Sequence, residues 1–461
     1  MALIELSGDS DLSLVRQIVV QMKQLIDGEV LRQGSRVTSI RSFARDHGVS
    51  TYTVAEAYDH LVAESYFRSL PRSGYFVARE QDKGRSPSTA PETAQMPTQA
   101  WQSPSATLGA GGAAVPSKWM DDDFIGSSLK AVAGKNDLLG SRQASPHGYA
   151  PLCELVRTRM ASMGVMAESS CIVLTDGAAH GMDLLIRCFL KAGDCVLVED
   201  PGYFPLFASL RLHGVEAVPV RRLADGPDLE QLETLARKHH PAMMFTQSVL
   251  HDPTGSSTSP ANAHRLLKLS EQYGFRLVEN DVYGDLVGPT YPRLATLDQL
   301  DRVFYVGSFA EVLPSAVRVG FIAGPQRAMQ LVHRQKVAAG ITGSQLDQRV
   351  MHLALCEGHY QRYMERLRER LCVAMQHASS LLVEQEVEIF CRAQGGKFLW
   401  VRLPNVDDSD DIARYAADEN LFLVPGKIFR CQSEATAWFR FNISFSREPG
   451  VTRFLSRLGR T

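Results

Sequence analysis

The sequence lacks an excess of charge of either sign. Its 461 residues carry 49 lysines and arginines against 51 aspartates and glutamates, which gives a formal net charge of −2. A protein that coats nucleic acid with its whole surface needs a strongly positive charge, so this balance excludes that class. A small and locally basic surface that reads DNA remains compatible with it.

Long apolar runs and paired cysteines are also missing. No stretch of about 18 apolar residues occurs, so the sequence contains no candidate membrane span. The first residues lack a basic segment followed by an apolar one, so we expect no secretory signal. The eight cysteines are scattered without a C-x-x-C pair. This spacing argues against a zinc site or a disulfide framework, and we expect a cytoplasmic protein with reduced thiols and no metal.

One long segment has few large apolar residues. Residues 80–118 are rich in Ser, Thr, Pro, Ala, Gly and Gln and show neither helical nor strand periodicity. Such a composition buries too little apolar surface to offset the entropy of ordering the chain. We interpret this segment as a flexible linker between a domain of residues 1–79 and a domain of residues 119–461. A small subdomain is expected from about residue 365 to the end.

The first domain shows the pattern of three helices and a hairpin. Apolar residues recur at helical spacing over residues 14–26, and the segment SIRSFARDHGVSTYTVAEAYDHL reads as two helices about a tight turn. Gly48 suits the turn because glycine tolerates a positive φ, and Ser50 is a natural cap for the helix that follows. The segment SLPRSGYFV then reads as a β-hairpin.

These segments resemble the DNA-binding domain of the GntR family, an α+β winged helix-turn-helix. The resemblance covers residues 12–77, and residues 30–79 carry seven basic and four acidic side chains. It implies promoter DNA as a partner and a dimer that reads two half-sites. Val54, Tyr58 and Leu61 are expected to face the core of the domain. The residues expected to contact DNA are Ser39, Arg41, Ser50, Thr51, Tyr52, Thr53, Arg72, Ser73 and Gly74.

After the linker, strand-like and helix-like segments alternate, which predicts an α/β domain with a mostly parallel sheet. The fragments LTDGAAHG, EDPGY, HDPTG, NDVY and SFAE…RVG occur in that order, and GGKFLW, PG and RFN follow. They resemble the fold-type I aminotransferases, which use pyridoxal phosphate (PLP). The whole chain resembles the MocR subfamily of GntR-type regulators, in which both domains are fused. The resemblance implies a small α+β subdomain and a homodimer.

Three residues depart from the aminotransferase pattern where the cofactor is held. Glu311 stands at the position of the lysine that bonds to PLP, and a carboxylate cannot form that bond. Asn280 replaces an aspartate that pairs with the pyridine nitrogen, and Asp252 replaces an asparagine that donates to the phenolate oxygen. Lys397 is not expected to substitute for the missing lysine. We therefore expect neither covalent PLP nor enzymatic activity, although noncovalent binding of PLP stays possible.

The two ends of the same pocket keep the family's residues. Ser308 and Arg318, with a helix N-terminus, suit an anion, and Arg440 aligns with the arginine that binds the substrate's carboxylate. Two acids lie between these ends. We therefore expect a small amino-acid-like or amino-aromatic acid effector, with its amine on the acids and its carboxylate on Arg440. The expected effector-binding residues are Ala178, Ala179, Tyr203, Asp252, Asn280, Tyr283, Ser308, Glu311, Arg318 and Arg440.

Three functions are compatible with these features. The first is a ligand-responsive transcription factor that is not an enzyme. The second is an aminotransferase, or a PLP-responsive regulator, that binds the cofactor noncovalently and carries a DNA-binding domain. The third is a DNA-tethered module whose second domain serves only dimerisation. An ion pair between Glu311 and Arg318 would close the pocket and favour the third function.

Overall fold

The computed structural model divides the chain into two compact units, residues 1–93 and residues 94–461. The structure describes Ile4, Leu6 and residues 13–28, 30–32, 34–63, 66–70, 74–77, 109–120, 123–134, 145–288, 291–313, 317–340, 343–404 and 406–458. None of the described helices is long and apolar enough to cross a membrane.

The first unit contains helices and a two-stranded antiparallel sheet in the order that the sequence predicts. Their bounds are Leu14–Asp27 (α1), Ile40–His47 (α2), Thr51–Ala63 (α3), Phe67–Leu70 (β1) and Gly74–Val77 (β2). Gly48 ends α2 with a φ of 66°, as expected for a turn that requires the left-handed region. The hydroxyl of Ser50 accepts a hydrogen bond from the Thr53 amide at 3.0 Å, so Ser50 caps α3 as predicted.

The core of the first unit lies under α3. Val54, Tyr58 and Leu61 are fully buried, which confirms the side of α3 that was predicted to face inward. The Tyr58 hydroxyl donates to the carbonyl of Thr38 at 3.0 Å, and its ring packs edge-on against Phe67 of β1. Tyr58 therefore links α3 both to the segment before α2 and to the hairpin.

The second unit is built on an eight-stranded sheet. Its strands are Ile172–Thr175 (β3), Cys195–Asp200 (β4), Glu216–Leu223 (β5), Gly226–Pro227 (β6), Met243–Thr246 (β7), Arg276–Asp281 (β8), Val303–Ser308 (β9) and Gly320–Ala323 (β10). The strand order is β3-β10-β9-β8-β7-β4-β5-β6. Strands β9, β8, β7, β4 and β5 pair in parallel, whereas β10 and β6 pair antiparallel with their neighbours. The sheet is therefore mixed, and its five parallel strands correspond to the mostly parallel sheet that the sequence predicts.

Helices accompany this sheet because several of its strands are buried along their whole length. Strands β3, β7 and β9 are buried at every residue, as strands covered on both faces are. The helices are Phe124–Ala133 (α4), Ala150–Ser162 (α5), Ala178–Phe189 (α6), Phe204–Leu212 (α7), Leu229–His239 (α8), Pro260–Tyr273 (α9), Leu294–Asp298 (α10), Gln326–Ala338 (α11) and Gln345–Cys356 (α12).

A small subdomain follows the 26-residue helix His359–Glu384 (α13). Its four strands are Glu388–Ile389 (β11), Phe398–Arg402 (β12), Val424–Pro425 (β13) and Trp438–Asn442 (β14), and its helices are Ser409–Asp418 (α14) and Pro449–Leu458 (α15). The sheet is antiparallel, with the order β11-β12-β14-β13. It positions Arg440 on β14, opposite Trp400 of β12.

The predicted linker extends too far along the chain. Residues 109–118, which were assigned to it, belong to the second unit and pack against the rest of it, and Ala110 is fully buried. The Gly111 amide donates to the carbonyl of Phe422 at 2.7 Å, and a Cβ on Gly111 would lie 2.4 Å from a backbone nitrogen of β13. These small residues pack through their backbone, so their low apolar content did not indicate burial. Residues 80–108 lie outside the described part of the chain.

Candidate functional site

The residues expected to contact DNA lie mainly around the starts of α2 and α3. Arg41, Thr51 and Tyr52 are exposed, and Tyr52 keeps 77% of its surface accessible. An aromatic side chain this exposed does not pack in the core of the unit, so Tyr52 is free to meet a partner. Arg36 and Arg45 are also exposed and add positive charge.

Two serines of this set cap helices. The Ser39 hydroxyl accepts from the Ser42 amide at 3.2 Å at the start of α2, as Ser50 does for Thr53 at the start of α3. Each helix therefore presents an N-terminal turn whose remaining amides and positive end suit a phosphate. Gly74 begins β2 with a φ of 96°. Arg72 and Ser73 lie outside the described residues.

In the second unit, Arg440 lies in a buried polar cluster with Asp252. Both residues are 3% exposed, and the Nη1 of Arg440 donates to both carboxylate oxygens of Asp252 at 2.9 Å. The Nε and Nη2 of Arg440 donate to the Gly111 carbonyl at 3.1 and 2.8 Å. The guanidinium also lies 4.4 Å from the centre of the Phe398 ring. All three nitrogens of the guanidinium therefore donate to the chain itself.

This arrangement corrects the expectation that Arg440 is available to a ligand's carboxylate. Asp252, in the loop after β7, already supplies a carboxylate there, and its own amide donates to Gln247 Oε1 at 3.1 Å. Sequence reasoning placed Asp252 in the pocket as an unpaired acid. The sequence did contain a signal for this pair. Asp252 replaces an asparagine of the family pattern by an acid, and Arg440 keeps the arginine of the same pocket, so the two could have been expected to pair.

Lys397, which was not expected to substitute for the missing lysine, is a buried residue of the pocket. It is 2% exposed, and its Nζ donates to the carbonyls of Ala113 at 2.6 Å and Glu311 at 2.8 Å. The ammonium lies 4.7 Å from the centre of the Tyr283 ring. Burial lowers the pKa of Lys397 to about 8, against the opposing effect of the nearby Glu311 and Asp252 carboxylates.

Glu311 follows β9 and is half-buried, whereas Arg318 is exposed. In the part of the chain that the structure describes, no ion pair within 4 Å joins these two residues. The Glu311–Arg318 pair that would close the pocket is therefore not formed. Burial raises the pKa of the Tyr203 hydroxyl, and the Glu311 and Asp252 carboxylates raise it further. The same causes raise the pKa of Tyr283, so both tyrosines lie near the two acids.

The expected anion-binding end comes together around Gly320 of β10. Gly320 pairs with Ser308 of the neighbouring strand β9. A Cβ on Gly320 would lie 2.7 Å from the carbonyl carbon of Gly177. Gly177 precedes α6 with a φ of 94°, so Ala178 and Ala179 form the first turn of that helix. A Cβ on Gly177 would lie 2.8 Å from Nη2 of Arg318. Ser308 and Arg318 are therefore both next to a helix N-terminus.

Asn280, the last residue but one of β8, lies beside a small cavity and is 5% exposed. Its Oδ1 has no hydrogen-bond partner among the described residues. The cavity has a volume of about 20 Å³, and Tyr203, Gln247 and His251 are among its lining residues. That volume suits one water molecule and is too small for an aromatic ring. The described residues contain no group of three or more His, Cys, Asp or Glu side chains placed to hold a metal ion.

Comparison with known proteins places this fold in a family. The family model of aminotransferase class I and II matches residues 141–458. The chain therefore belongs to this family. The crystal structure of LysN, an alpha-aminoadipate aminotransferase from Thermus thermophilus, is similar with a TM-score of 0.73 and 26% identity, over 81% of this chain and 96% of that one.

Two similar relatives extend beyond the aminotransferase part. The HTH-type transcriptional regulator YdcR of Escherichia coli is 27% identical over 96% of this chain and 98% of its own length. The probable rhizopine catabolism regulatory protein MocR of Rhizobium meliloti is 27% identical over 86% of each chain. Both of these relatives match most of this chain and are described as regulators, which supports a regulatory role for this chain.

Proposed function

We propose that this protein is a DNA-binding transcriptional regulator whose second unit is not an enzyme and holds a small effector. The first unit is a winged helix-turn-helix that reads promoter DNA, and the protein acts as a homodimer. The observation that carries the proposal is the exposed N-terminal face of α3, with Tyr52 accessible and the inward face buried, in a chain similar to HTH-type regulators along nearly its whole length.

Replacement of one arginine tests DNA binding. Arg41 lies on the exposed side of α2, where a phosphate or base contact is expected, so Arg41→Ala should weaken binding by about 1–3 kcal/mol. The measurement is fluorescence anisotropy on a duplex selected from random DNA with the wild-type protein. Arg414→Ala is the matched control, because Arg414 is an exposed arginine of the second unit. Equal affinities of the two variants would remove Arg41 from the DNA-binding surface.

The pocket does not fit covalently bound PLP. Glu311 offers a carboxylate at the position expected for the lysine, and the Lys397 ammonium donates to two backbone carbonyls. Asn280 lies beside a cavity that admits only a water molecule. These observations support a regulator without transaminase activity. Borohydride treatment of the desalted protein without added PLP, followed by mass spectrometry, should reveal no phosphopyridoxyl group on any lysine, and a native adduct on any lysine would contradict the proposal.

The effector is expected to carry an amine. In the described part of the chain the Glu311 carboxylate has no ion-pair partner, and it lies near the hydroxyls of Tyr203 and Tyr283, whose pKa values it raises. An ammonium group would meet an acid and aromatic faces there. Mass spectrometry of small molecules that copurify should find such a metabolite, and Glu311→Gln should abolish its thermal stabilisation of the protein.

Copurification of PLP that dialysis removes would instead favour the PLP-responsive regulator. A protein that no metabolite stabilises would favour a domain that serves only dimerisation.

A further inference from the structure

The carboxylate position of the pocket is filled by the chain. The three nitrogens of the Arg440 guanidinium all donate within the chain, Nη1 to Asp252 and Nε and Nη2 to the carbonyl of Gly111. A ligand carboxylate on Arg440 would have to displace the Asp252 carboxylate. Because that carboxylate belongs to a residue that is 3% exposed, its displacement would leave a buried charge with only the Tyr283 hydroxyl, at 3.5 Å, as a side-chain donor.

Arg440 also contacts a short segment of small residues that other side chains of the small subdomain bind. We call residues 110–114 the pocket strap. The side chains of Arg440, Lys397 and Asn442, all from the small subdomain, donate to the carbonyls of Gly111, Gly112, Ala113 and Ala114. The strap leaves no large gap at Gly111, where a Cβ would lie 2.4 Å from the backbone of β13. Arg440 is therefore held in place from two sides.

Glu311 differs from Asp252 in this respect. It is half-buried and has no ion-pair partner among the described residues, whereas Asp252 is buried and paired. The pocket thus offers an acid to a ligand but no free arginine at the Asp252 end. This combination favours an amine and disfavours a carboxylate.

We infer that Asp252 occupies, from within the chain, the position that a ligand's carboxylate would take on Arg440, and that it thereby excludes α-amino acids from the effector pocket. The inference rests on the proposed effector pocket. It makes Asp252 the residue that determines specificity, and it restricts the ligand to amines without a carboxylate for Arg440.

The test is the Asp252→Asn variant of the full chain, in which Arg440 loses its carboxylate partner. Glycine and L-alanine, the smallest α-amino acids, are titrated by calorimetry into the wild type and the variant. We expect no saturable binding to the wild type at millimolar concentration. Asp252→Asn should bind at least one of the two roughly tenfold or more tightly, because a charge-assisted bond to the arginine becomes available.

Asp200→Asn is the matched control. Asp200 also precedes a proline and also pairs with an arginine of the small subdomain, since Arg430 Nε donates to its two oxygens at 3.1 and 3.0 Å. That pair lies outside the pocket residues, so Asp200→Asn should gain no binding. Tryptophan fluorescence checks the fold of each variant, and Asp252→Ser, which removes the charge with a smaller side chain, replaces Asp252→Asn if the latter does not fold.

Two results would overturn the inference. One is wild-type binding of either amino acid as tight as that of the Asp252 variant. The other is an Asp252 variant that gains no more than Asp200→Asn. Both comparisons use purified protein without DNA, so a failure to bind promoter DNA would remove the proposed function without altering this outcome.

Discussion

The buried pair of Asp252 and Arg440 makes a quantitative prediction about stability. Their side chains are 5% and 3% exposed, so neither charge is screened by water. Asp252→Ala leaves the guanidinium buried with only the Gly111 carbonyl as an acceptor. Loss of one partner of a buried pair costs about 3–5 kcal/mol, and we expect the second unit to lose stability by that amount.

The double variant separates the pair from its surroundings. Arg440→Met also leaves a buried charge, whereas Asp252→Ala combined with Arg440→Met removes both. The double variant should therefore lose at least about 2 kcal/mol less than the sum of the two single losses. A strictly additive cycle, or a cost below about 1 kcal/mol for Asp252→Ala, would refute the reasoning.

Urea unfolding followed by tryptophan fluorescence is a suitable assay. The four tryptophans are residues 101, 119, 400 and 438, so the unit of residues 1–93 contains none. The signal therefore reports only on the second unit in the intact protein. Trp400 and Trp438 stack with ring centres 6.5 Å apart in the small subdomain that carries Arg440, close to the perturbed site in the β-sheet.

Two further predictions concern the same cluster. The pKa of Lys397 is about 8 in the folded protein, against the usual 10.5 of an exposed lysine. Between these pH values the unfolded chain binds more protons at Lys397 than the folded chain does. The contribution of Lys397 to the free energy of unfolding therefore rises with pH. The wild type should gain up to about 3 kcal/mol relative to Lys397→Met between pH 7 and pH 10.5, and parallel pH profiles of urea unfolding would contradict this. Gly111→Ala places a Cβ 2.4 Å from the backbone of β13, so it should destabilise the second unit by about 1–3 kcal/mol. Gly112→Ala, whose Cβ would meet nothing closer than 3.4 Å, is the control, and equal losses for both would exclude the steric explanation.

Local patterns predicted the elements of both units well. Val54, Tyr58 and Leu61 recur at helical spacing and are buried, and Gly48 adopts the positive φ that its turn requires. The parallel strands were recognised because burial on both faces demands apolar runs. In these cases the physical cause lies within a few neighbouring residues.

The contacts of the pocket could not be read in the same way. Asp252 and Arg440 are 188 residues apart, and no local pattern pairs them. The pocket strap was assigned to a linker because glycine and alanine bury backbone rather than large side chains. A lysine is usually exposed, so the residue type of Lys397 did not indicate burial. Its ammonium binds the carbonyls of Ala113 and Glu311, which come from other segments of the chain.

The salt dependence of DNA binding tests the central claim most directly. A dimer that engages DNA with two helix-turn-helix units and their hairpins should neutralise on the order of 6–10 phosphates, so the logarithm of the affinity should fall with the logarithm of salt with a slope of about −5 to −9. The measurement is a titration of the full-length wild type against the selected duplex at several salt concentrations. A slope in that range, together with a preference for the selected duplex over random DNA, is the predicted result. A slope near zero, or equal binding to both duplexes, would contradict a sequence-reading regulator.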